Sequence, residues 1–185
     1  MIRAAPKLRV VGRAGAGIDN IDLHACASHG VRVVHTPEAN IDAVVEFVLS
    51  QTLPILRSVP RVELAVNSNQ WDLMRSMSAC PTQLNEMTIG ILGFGRVGSK
   101  LGQLARGLGF RVMFHDIKKI VDTNGCEPVD VATMLQESHV VSIHVDGRTE
   151  NKNLVDGQFL AAMKPSAVFV NTSRGFIVDA QALRS

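Results

Sequence analysis

The sequence predicts an α/β fold built on a doubly wound parallel sheet. Apolar strand patterns alternate with helical patterns along the chain, which is typical of a sheet whose two faces are both covered by helices. A glycine-rich GxGxxG turn joins one such strand to one such helix, and an acidic residue ends the next strand. Together these features predict an open sheet whose ligand lies beyond the carboxyl ends of the strands.

The composition of the chain is that of a globular protein. Its 185 residues, 46% hydrophobic and 19% charged, suffice for one domain or for one domain and part of a second. The 19 basic and 17 acidic residues are scattered along the chain, so we expect no nucleic-acid partner. No apolar run approaches the roughly 20 residues that span a bilayer, and the start lacks the apolar core of a signal peptide. We therefore expect a cytoplasmic protein with no membrane partner.

The cysteines and histidines do not form a metal-binding pattern. Cys26, Cys80 and Cys126 lie far apart without a CxxC pair, which indicates reduced thiols. None of the spacings among the six histidines suits a metal ion. We therefore expect no metal site.

Residues 1–38 predict a βαβ unit that belongs to a first domain. A β-rich run from Leu8 to Gly12 ends at a glycine-rich turn. Asp22 to Ser28 has a helical pattern, and Val31 to Val34 is predicted to be the next strand.

Residues 39–86 are predicted to form a linking helix and an arm. Helical spacing begins at Asn40, which can cap the helix, and Pro54 should kink the helix or mark its last stable turn. Arg61 to Asn85 is more polar and predicts a connecting arm that contains a helix. The apolar face of the long helix carries Ile41, Val44, Val45, Val48, Leu49, Leu53 and Leu56.

A second domain is predicted over residues 87–185. Its first strand begins at Met87, and three helix–strand pairs follow. The helices are predicted over residues 97–109, 129–137 and 156–162, and the strands over residues 110–115, 140–144 and 167–171. This alternation predicts the parallel sheet.

The turn after the first strand of this domain has the pattern of a dinucleotide-binding site. Gly93 permits a tight turn, Gly95 lets the backbone approach a pyrophosphate, and Gly98 lets the helix lie close to the sheet. The N-terminus of that helix attracts the phosphate charge. Asp116 ends the next strand, eighteen residues after Gly98. Because these elements accompany the motif, we predict a Rossmann-type nucleotide site rather than a plain strand-to-helix turn.

Asp116 favours NAD over NADP as the cofactor. A carboxylate at this position accepts hydrogen bonds from the ribose hydroxyls and repels a 2′-phosphate. Lys118 and Lys119 could soften this preference, although exposed loop lysines are more often solvated.

Arg174 is the candidate residue for chemistry. It stands in a polar turn directly after the strand from Ala167 to Asn171, at the edge of the sheet where ligands bind. A guanidinium there can clamp a carboxylate and polarise the adjacent carbonyl. The alternative is an arginine that holds the turn or pairs with Asp179, and position alone does not separate the two.

Four groups of motifs together resemble the D-isomer-specific 2-hydroxyacid dehydrogenases, in the order of that family and over essentially the whole chain. They are Gly12 to Asp22; His35 to Asn40 with Val44, Val45 and Glu46; the GFGRVG turn with Asp116; and Met163 to Pro165 with Asn171 to Asp179.

The resemblance implies an incomplete Rossmann-type domain preceded by part of a flavodoxin-like substrate domain, with NAD in the cleft between them. Hydride would pass between NAD and C2 of a 2-hydroxy acid. Arg174 is implied to be the catalytic arginine that binds the substrate carboxylate, and it also borders the cofactor. The other implied cofactor-binding residues are Gly93, Gly95, Arg96, Val97, Gly98, Asp116, His144, Val145, Thr172 and Ser173, and the implied substrate-binding residues are Gly15, Ala16, Gly17 and Asn40.

Two features depart from the family pattern. In the family, a histidine assisted by a carboxylate is the general acid/base and follows the arginine motif, but no histidine follows Arg174 here. We therefore expect a fragment whose own catalysis is negligible. Asp146 replaces a proline that many members carry, which leaves the cofactor contact at that loop open. An NAD-binding regulatory module and an inactive remnant are the alternative functions.

The resemblance leaves the substrate open among small 2-hydroxy and 2-keto acids, with 3-phosphoglycerate, glycerate, glyoxylate and lactate as candidates. It implies a homodimer for the intact protein. The long helix after Asn40 and the arm around Trp71 could supply the dimer contact, or the apolar face of that helix could pack within one subunit.

Overall fold

Two parallel strands joined by a helix open the chain. The computed structural model describes residues 2–58, 62 and 65–184. Strands β1 (Val10–Arg13) and β2 (Arg32–His35) pair in parallel, and helix α1 (Leu23–Ser28) connects them. The Asp22 carboxylate caps α1 by accepting a hydrogen bond of 2.8 Å from the Ala25 N–H. The predicted βαβ unit is confirmed, with boundaries shifted by one or two residues.

The long helix α2 (Ile41–Leu56) follows the βαβ unit. Pro54 lies in its last turn, and the helix ends two residues later, as predicted. The prediction that the Asn40 side chain caps this helix is wrong. Asn40 stands at the N-cap position with φ −115° and ψ 10°, outside the extended conformation from which a cap side chain reaches the helix N–H groups, and it makes no cap hydrogen bond.

The apolar face of α2 packs within this chain. Val45 and Val48 are fully buried in the core, so the interpretation of that face as ordinary subunit packing is confirmed. Phe47 and Ile55 lie on the exposed side of the helix.

The arm after α2 contains the predicted helix, α3 (Ser68–Met77). A capping box begins it, because Asn67 and Gln70 each bond through their side chains to the other's backbone N–H, at 2.9 and 3.0 Å. No residue of α3 is buried, and Trp71 is 53% exposed. Arg61, where the arm was predicted to begin, lies outside the described residues.

A five-stranded parallel sheet forms the rest of the chain. Its strands are β3 (Thr88–Leu92), β4 (Arg111–His115), β5 (Glu127–Pro128), β6 (Val140–Ile143) and β7 (Val168–Asn171). Its helices are α4 (Arg96–Gly107), α5 (Val131–Glu137) and α6 (Gly157–Ala161). The predicted strands and helices are present within a few residues of their expected bounds, and the short edge strand β5 was not predicted.

The strand order β5-β4-β3-β6-β7 is that of a doubly wound sheet. Within this sheet, the first strand along the chain is β3, which lies in the middle. Strands β4 and β5 follow on one side of β3, and the chain then crosses to β6 and β7 on the other side. The direction of winding therefore reverses between β3 and β6. In such sheets the ligand crevice opens at the carboxyl ends of the two strands at the reversal.

Apolar clusters cover both faces of this sheet. One contains Ile89 and Leu101, and the other contains Val141 and Met134. Every residue of β3 and of β6 is buried, as expected for central strands covered on both faces. This packing fixes the two strand ends that carry the candidate site.

Candidate functional site

The glycine-rich turn after β3 has three different steric environments. Gly93 has φ +91°, and a β-carbon on it would lie 2.8 Å from the carbonyl carbon of His144, so β3 and β6 meet here through bare backbone. A β-carbon on Gly98 would overlap the carbonyl oxygen of Gly93, which brings α4 directly onto the turn. A β-carbon on Gly95 would meet nothing within 4 Å. The space in front of Gly95 is therefore open, at the N-terminus of α4.

Asp116 lies at the end of β4 and is tied to the same turn. Its Oδ2 accepts a hydrogen bond of 2.7 Å from the Phe94 N–H, and its Oδ1 accepts one of 2.8 Å from the Lys118 N–H. The carboxylate retains further acceptor positions, because each of its oxygens has two lone pairs.

His144 and Val145 follow β6 and line the crevice. The imidazole of His144 is bonded on both sides, with Nε2 at 2.8 Å from the Ser142 hydroxyl and Nδ1 at 3.4 Å from the Thr172 hydroxyl. Burial lowers the pKa of His144 to about 4. The ring is therefore neutral at neutral pH.

The turn after β7 is held by its own side chains. Asn171 accepts a hydrogen bond of 3.0 Å from the Ser173 N–H and donates one of 3.0 Å to the carbonyl oxygen of Arg174. The Ser173 hydroxyl donates to the carbonyl oxygen of Ile143 at 3.0 Å. These bonds fix the backbone from which the Arg174 side chain projects.

The guanidinium of Arg174 binds Asp19, which lies in the first part of the chain. Nε donates to both carboxylate oxygens at 3.0 Å, and Nη2 donates to Oδ1 at 2.5 Å. These hydrogen bonds lower the pKa of Asp19 and raise that of Arg174. The alternative partner named from the sequence, Asp179, instead accepts the Gln181 N–H. Sequence reasoning missed Asp19, although it directly follows the glycine-rich turn of residues 12–17.

The turn after β1 faces the same crevice. The Gly15 N–H donates to the Thr36 hydroxyl at 2.9 Å, and the carbonyl oxygen of Ala16 lies 3.1 Å from Nδ1 of His35. The carbonyl oxygen of Gly17 accepts a hydrogen bond of 3.3 Å from Arg13. Two bonds to the β2 end and one within the turn thus hold its backbone.

One cleft of about 630 Å³ joins the two parts of the chain. Its walls are formed by Ala16, Gly17, Ile18, Asp19, Ile21, Leu23, Asn40, Val44, Val97, His144, Val145, Asp146, Gly147, Arg148, Thr172, Ser173 and Arg174. It brings together the implied substrate residues Ala16, Gly17 and Asn40 with Arg174. Gly93, Gly95, Gly98 and Asp116 are not wall residues of this cleft. The glycines lie in the turn after β3 and in the first turn of α4, and Asp116 directly follows β4.

Arg96 lies elsewhere. Its Nε is 3.2 Å from Oε1 of Glu38, and both side chains line a separate cleft of about 470 Å³ with Asp42 and Lys100. The Arg96 backbone still opens α4 beside Gly95. Arg96 is not a wall residue of the larger cleft.

Asp146 and Arg148 form an ion pair in the wall of the larger cleft, with nitrogen–oxygen distances of 2.6 and 2.5 Å. The Asn151 side chain also donates to Asp146 at 3.0 Å. Asp146 is the residue that departs from the family pattern, and here it organises its own loop.

No group of three or more histidine, cysteine, aspartate or glutamate side chains within residues 2–58, 62 and 65–184 is arranged to hold a metal ion. Across the same residues, no helix has the length and apolarity needed to cross a membrane.

Comparison with known proteins gives the family. Residues 49–185 match the family model described as D-isomer specific 2-hydroxyacid dehydrogenase, NAD binding domain. The chain is 32% identical to D-3-phosphoglycerate dehydrogenase of Synechocystis and 31% identical to glyoxylate reductase of Thermococcus litoralis. Each match covers 99% of this chain, but only 33% and 57% of those two proteins. The chain thus spans about a third to three fifths of the length of these relatives.

Solved structures give the same result. The crystal structure of D-lactate dehydrogenase from Aquifex aeolicus, complexed with NAD and lactic acid, superposes with a TM-score of 0.84 at 28% identity. That superposition covers 98% of this chain and 55% of the other. The structure of D-2-hydroxyisocaproate dehydrogenase superposes with a TM-score of 0.81 at 25% identity, covering 99% of this chain and 56% of the other. This chain therefore belongs to the family of D-isomer specific, NAD-dependent 2-hydroxyacid dehydrogenases and carries the NAD-binding domain of that family.

Proposed function

We propose that this chain is the NAD-binding part of an oxidoreductase that transfers a hydride between NAD and C2 of a D-2-hydroxy acid. In the oxidative direction, the C2–H bond would break with its electron pair going to the cofactor, while the hydroxyl would lose a proton and become a ketone. The observation that carries the proposal is the position of Arg174, whose guanidinium lies in the cleft at the carboxyl end of β7.

The residues present fit a dinucleotide. The open space at Gly95 can admit a pyrophosphate to the N-terminus of α4, where Arg96 and Val97 supply backbone N–H groups. Asp116 has acceptor capacity left for ribose hydroxyls. His144, Val145, Thr172 and Ser173 would line the remainder of the cofactor's path. When bound, NAD supplies the hydride acceptor or donor.

Arg174 would hold the substrate by its carboxylate and polarise the adjacent C2 carbonyl. The backbone at Ala16 and Gly17 and the side chain of Asn40 would border the substrate from the opposite wall, with Gly15 directly before them in the same turn. Such fixed groups accelerate a reaction by holding the reacting atoms in line and by stabilising developing negative charge.

His144 is unsuited to the proton transfer. Both of its ring nitrogens are engaged, and its pKa of about 4 makes it a weak base. General acid/base assistance, worth about 10²–10⁴-fold, would therefore come from another group. Unless such a group joins the cleft, we expect the 185-residue chain to bind its ligands but to turn over very slowly.

The substrate is proposed only as a class. 3-Phosphoglycerate is one candidate, since D-3-phosphoglycerate dehydrogenases are among the similar proteins, and glyoxylate and lactate are others for the same reason. The proposal also includes a cytoplasmic location and, for the intact protein, a homodimer. Within this chain, it assigns residues 1–38 to part of the substrate domain, residues 39–86 to the linking helix and arm, and residues 87–185 to the NAD-binding domain. The three cysteines are unpaired, which is consistent with a reducing compartment.

The test is a two-step titration in which calorimetry measures the binding at each step. The chain is first titrated with NAD, and the NAD-loaded chain is then titrated with glyoxylate, pyruvate and 3-phosphohydroxypyruvate. No hydride can pass, because cofactor and ligand are both oxidised. We expect at least one keto acid to bind, and we expect Arg174→Gln to abolish that binding while the chain still binds NAD.

Other outcomes contradict the proposal in separate ways. NAD binding without any keto-acid binding would favour the alternative of an NAD-binding regulatory module. Keto-acid binding that survives Arg174→Gln would show that Arg174 does not bind the substrate.

A further inference from the structure

The contact between Arg174 and Asp19 joins residues 155 positions apart in the sequence. Arg174 projects from the turn after β7, and Asp19 follows the glycine-rich turn after β1. The two residues therefore connect the two sheets across the cleft. Both side chains keep about 36–40% of their surface exposed, so they face the solvent-filled cleft.

Two glycines make room for this arginine. A β-carbon on Gly17 would fall on the position of the Arg174 guanidinium. A β-carbon on Gly147 would lie 3.2 Å from Cγ of Arg174 and 3.6 Å from Oδ1 of Asp19. The arginine thus lies in a cradle formed by Gly17, Asp19 and Gly147, with Asp19 as its charged wall.

The cradle leaves one edge of the guanidinium unused. An arginine has five N–H donors. Asp19 takes the Nε donor and one Nη2 donor, and the carbonyl oxygen of Ser173 takes one Nη1 donor at 3.2 Å. With respect to the described residues, one donor without a partner remains on each terminal nitrogen. Two donors are the number that a single carboxylate accepts in a bidentate contact.

We propose that Asp19 is a positioning residue, which holds Arg174 by one edge of its guanidinium so that the two remaining donors face the carboxylate of the substrate. The proposal rests on the proposed function, because it takes Arg174 as the group that binds the substrate. It assigns to Asp19 no contact with the substrate.

Positioning is favoured over a purely stabilising role. Exposed ion pairs contribute little to folding stability, because solvent screens them and two long side chains must be ordered. The main consequence of this pair is instead the restricted orientation of a flexible arginine at a binding site. A preorganised arginine loses less conformational freedom when it binds a ligand.

A competing role for Asp19 predicts the opposite change in substrate affinity when its charge is removed. If the Asp19 carboxylate merely occupied the place of the substrate carboxylate, its neutralisation would free Arg174 and tighten binding. If Asp19 positions Arg174, the same neutralisation loosens the arginine and weakens binding. Asp19→Asn separates the two, since it removes the charge while keeping nearly the same size.

The experiment measures pyruvate binding to the NAD-loaded chain for wild type, Asp19→Asn, Asp19→Glu and Gly17→Ala. We expect Asp19→Asn and Gly17→Ala to weaken pyruvate binding by on the order of 10-fold to 100-fold, which is the range for a charged hydrogen bond and for a misplaced binding group. Asp19→Glu keeps the charge and should recover part of the affinity. NAD affinity should not change in any variant.

Matched controls test whether the effect is local. Asp72→Asn removes an exposed carboxylate on α3, and Gly12→Ala adds a β-carbon whose nearest atom is 4.0 Å away in Val34. Both should bind pyruvate like wild type.

Each remaining outcome overturns the inference. Unchanged or tighter pyruvate binding in Asp19→Asn would show that Asp19 does not position Arg174. A parallel loss of NAD affinity would show that Asp19 supports the fold as a whole and has no specific effect on Arg174. A wild-type chain that binds NAD but not pyruvate would overturn the inference and leave NAD binding intact, whereas pyruvate binding that survives Arg174→Gln would overturn the substrate role of Arg174 itself.

Discussion

The carboxylate of Asp116 accepts a hydrogen bond of 2.7 Å from the backbone N–H of Phe94, inside the glycine-rich turn. Phe94 is buried, and its ring stacks on that of Phe114 with centroids 3.8 Å apart. The acidic residue that ends β4 therefore also fixes the turn that follows β3. The proposed contact of Asp116 with the cofactor and the local stability of the turn would thus depend on the same side chain.

Replacing Asp116 by alanine should reduce both stability and NAD affinity. The Phe94 N–H would lose its acceptor in a partly buried position, which costs about 1–3 kcal/mol. Asp116→Asn keeps an acceptor oxygen for the Phe94 N–H, so this variant should lose NAD affinity with a smaller loss of stability. Denaturant unfolding and NAD titration measure the two effects. Asp122→Ala, at an exposed loop carboxylate that accepts the Asn124 N–H at 3.1 Å, is the control and should change stability by less than about 0.5 kcal/mol.

Two glycines of α4 should respond oppositely to alanine. In Gly98→Ala the new β-carbon overlaps the Gly93 carbonyl oxygen, so α4 must shift, at a cost of about 1–3 kcal/mol and with weaker NAD binding. In Gly107→Ala the β-carbon meets nothing within 4 Å. Because alanine has the higher helix propensity, the free energy of unfolding should increase, by about 1 kcal/mol at most. Thermal and denaturant unfolding compare the two variants, and equal effects would refute the close packing of helix and turn.

Stability should fall as the pH is lowered from about 6.5 to about 4, partly through His144. Burial depresses the folded-state pKa of His144 to about 4, so across this window the unfolded chain binds a proton that the folded chain does not. His139, whose pKa is lowered by burial and then by Lys164, acts in the same direction.

The contribution of His144 is isolated by comparison with His144→Gln. Unfolding free energies at several pH values should fall less steeply in the variant, whatever its stability at neutral pH, since His139 titrates in both proteins. Identical pH slopes would mean that His144 is not held neutral in the folded chain.

The exposed apolar residues of the α3 arm should contribute to self-association. Trp71 and Leu73 are 53% and 62% exposed, and no residue of α3 is buried in the chain. For the intact protein, we expect sedimentation to detect a dimer that Trp71→Glu dissociates. Val121→Glu is the control, because Val121 is 93% exposed in a loop and should leave the dimer intact. A monomeric intact wild-type protein would contradict the proposed homodimer.

Periodicity located most of the fold because the elements concerned are buried on predictable faces. The apolar runs of β3 and β6 are central strands, and the spacing of α2 placed Val45 and Val48 in the core. Strand β5 was missed because Glu127 and Pro128 are exposed, and two residues carry no alternation. Asn40 failed as a cap because residue type does not fix the backbone angles that a cap requires.

The sequence by itself determined the glycine-rich turn after β3. Gly93, Gly98 and Asp116 have roles set by local geometry and short spacing, and composition and pattern suffice to recognise these. Only the tertiary structure decided what Arg174 contacts. Asp179 is close in sequence, yet Asp19 is the partner, because the parallel sheets bring the turn after β1 to the end of β7. An ion pair forms where folding places two charges within a few ångströms, and a separation of 155 residues carries no information about that distance.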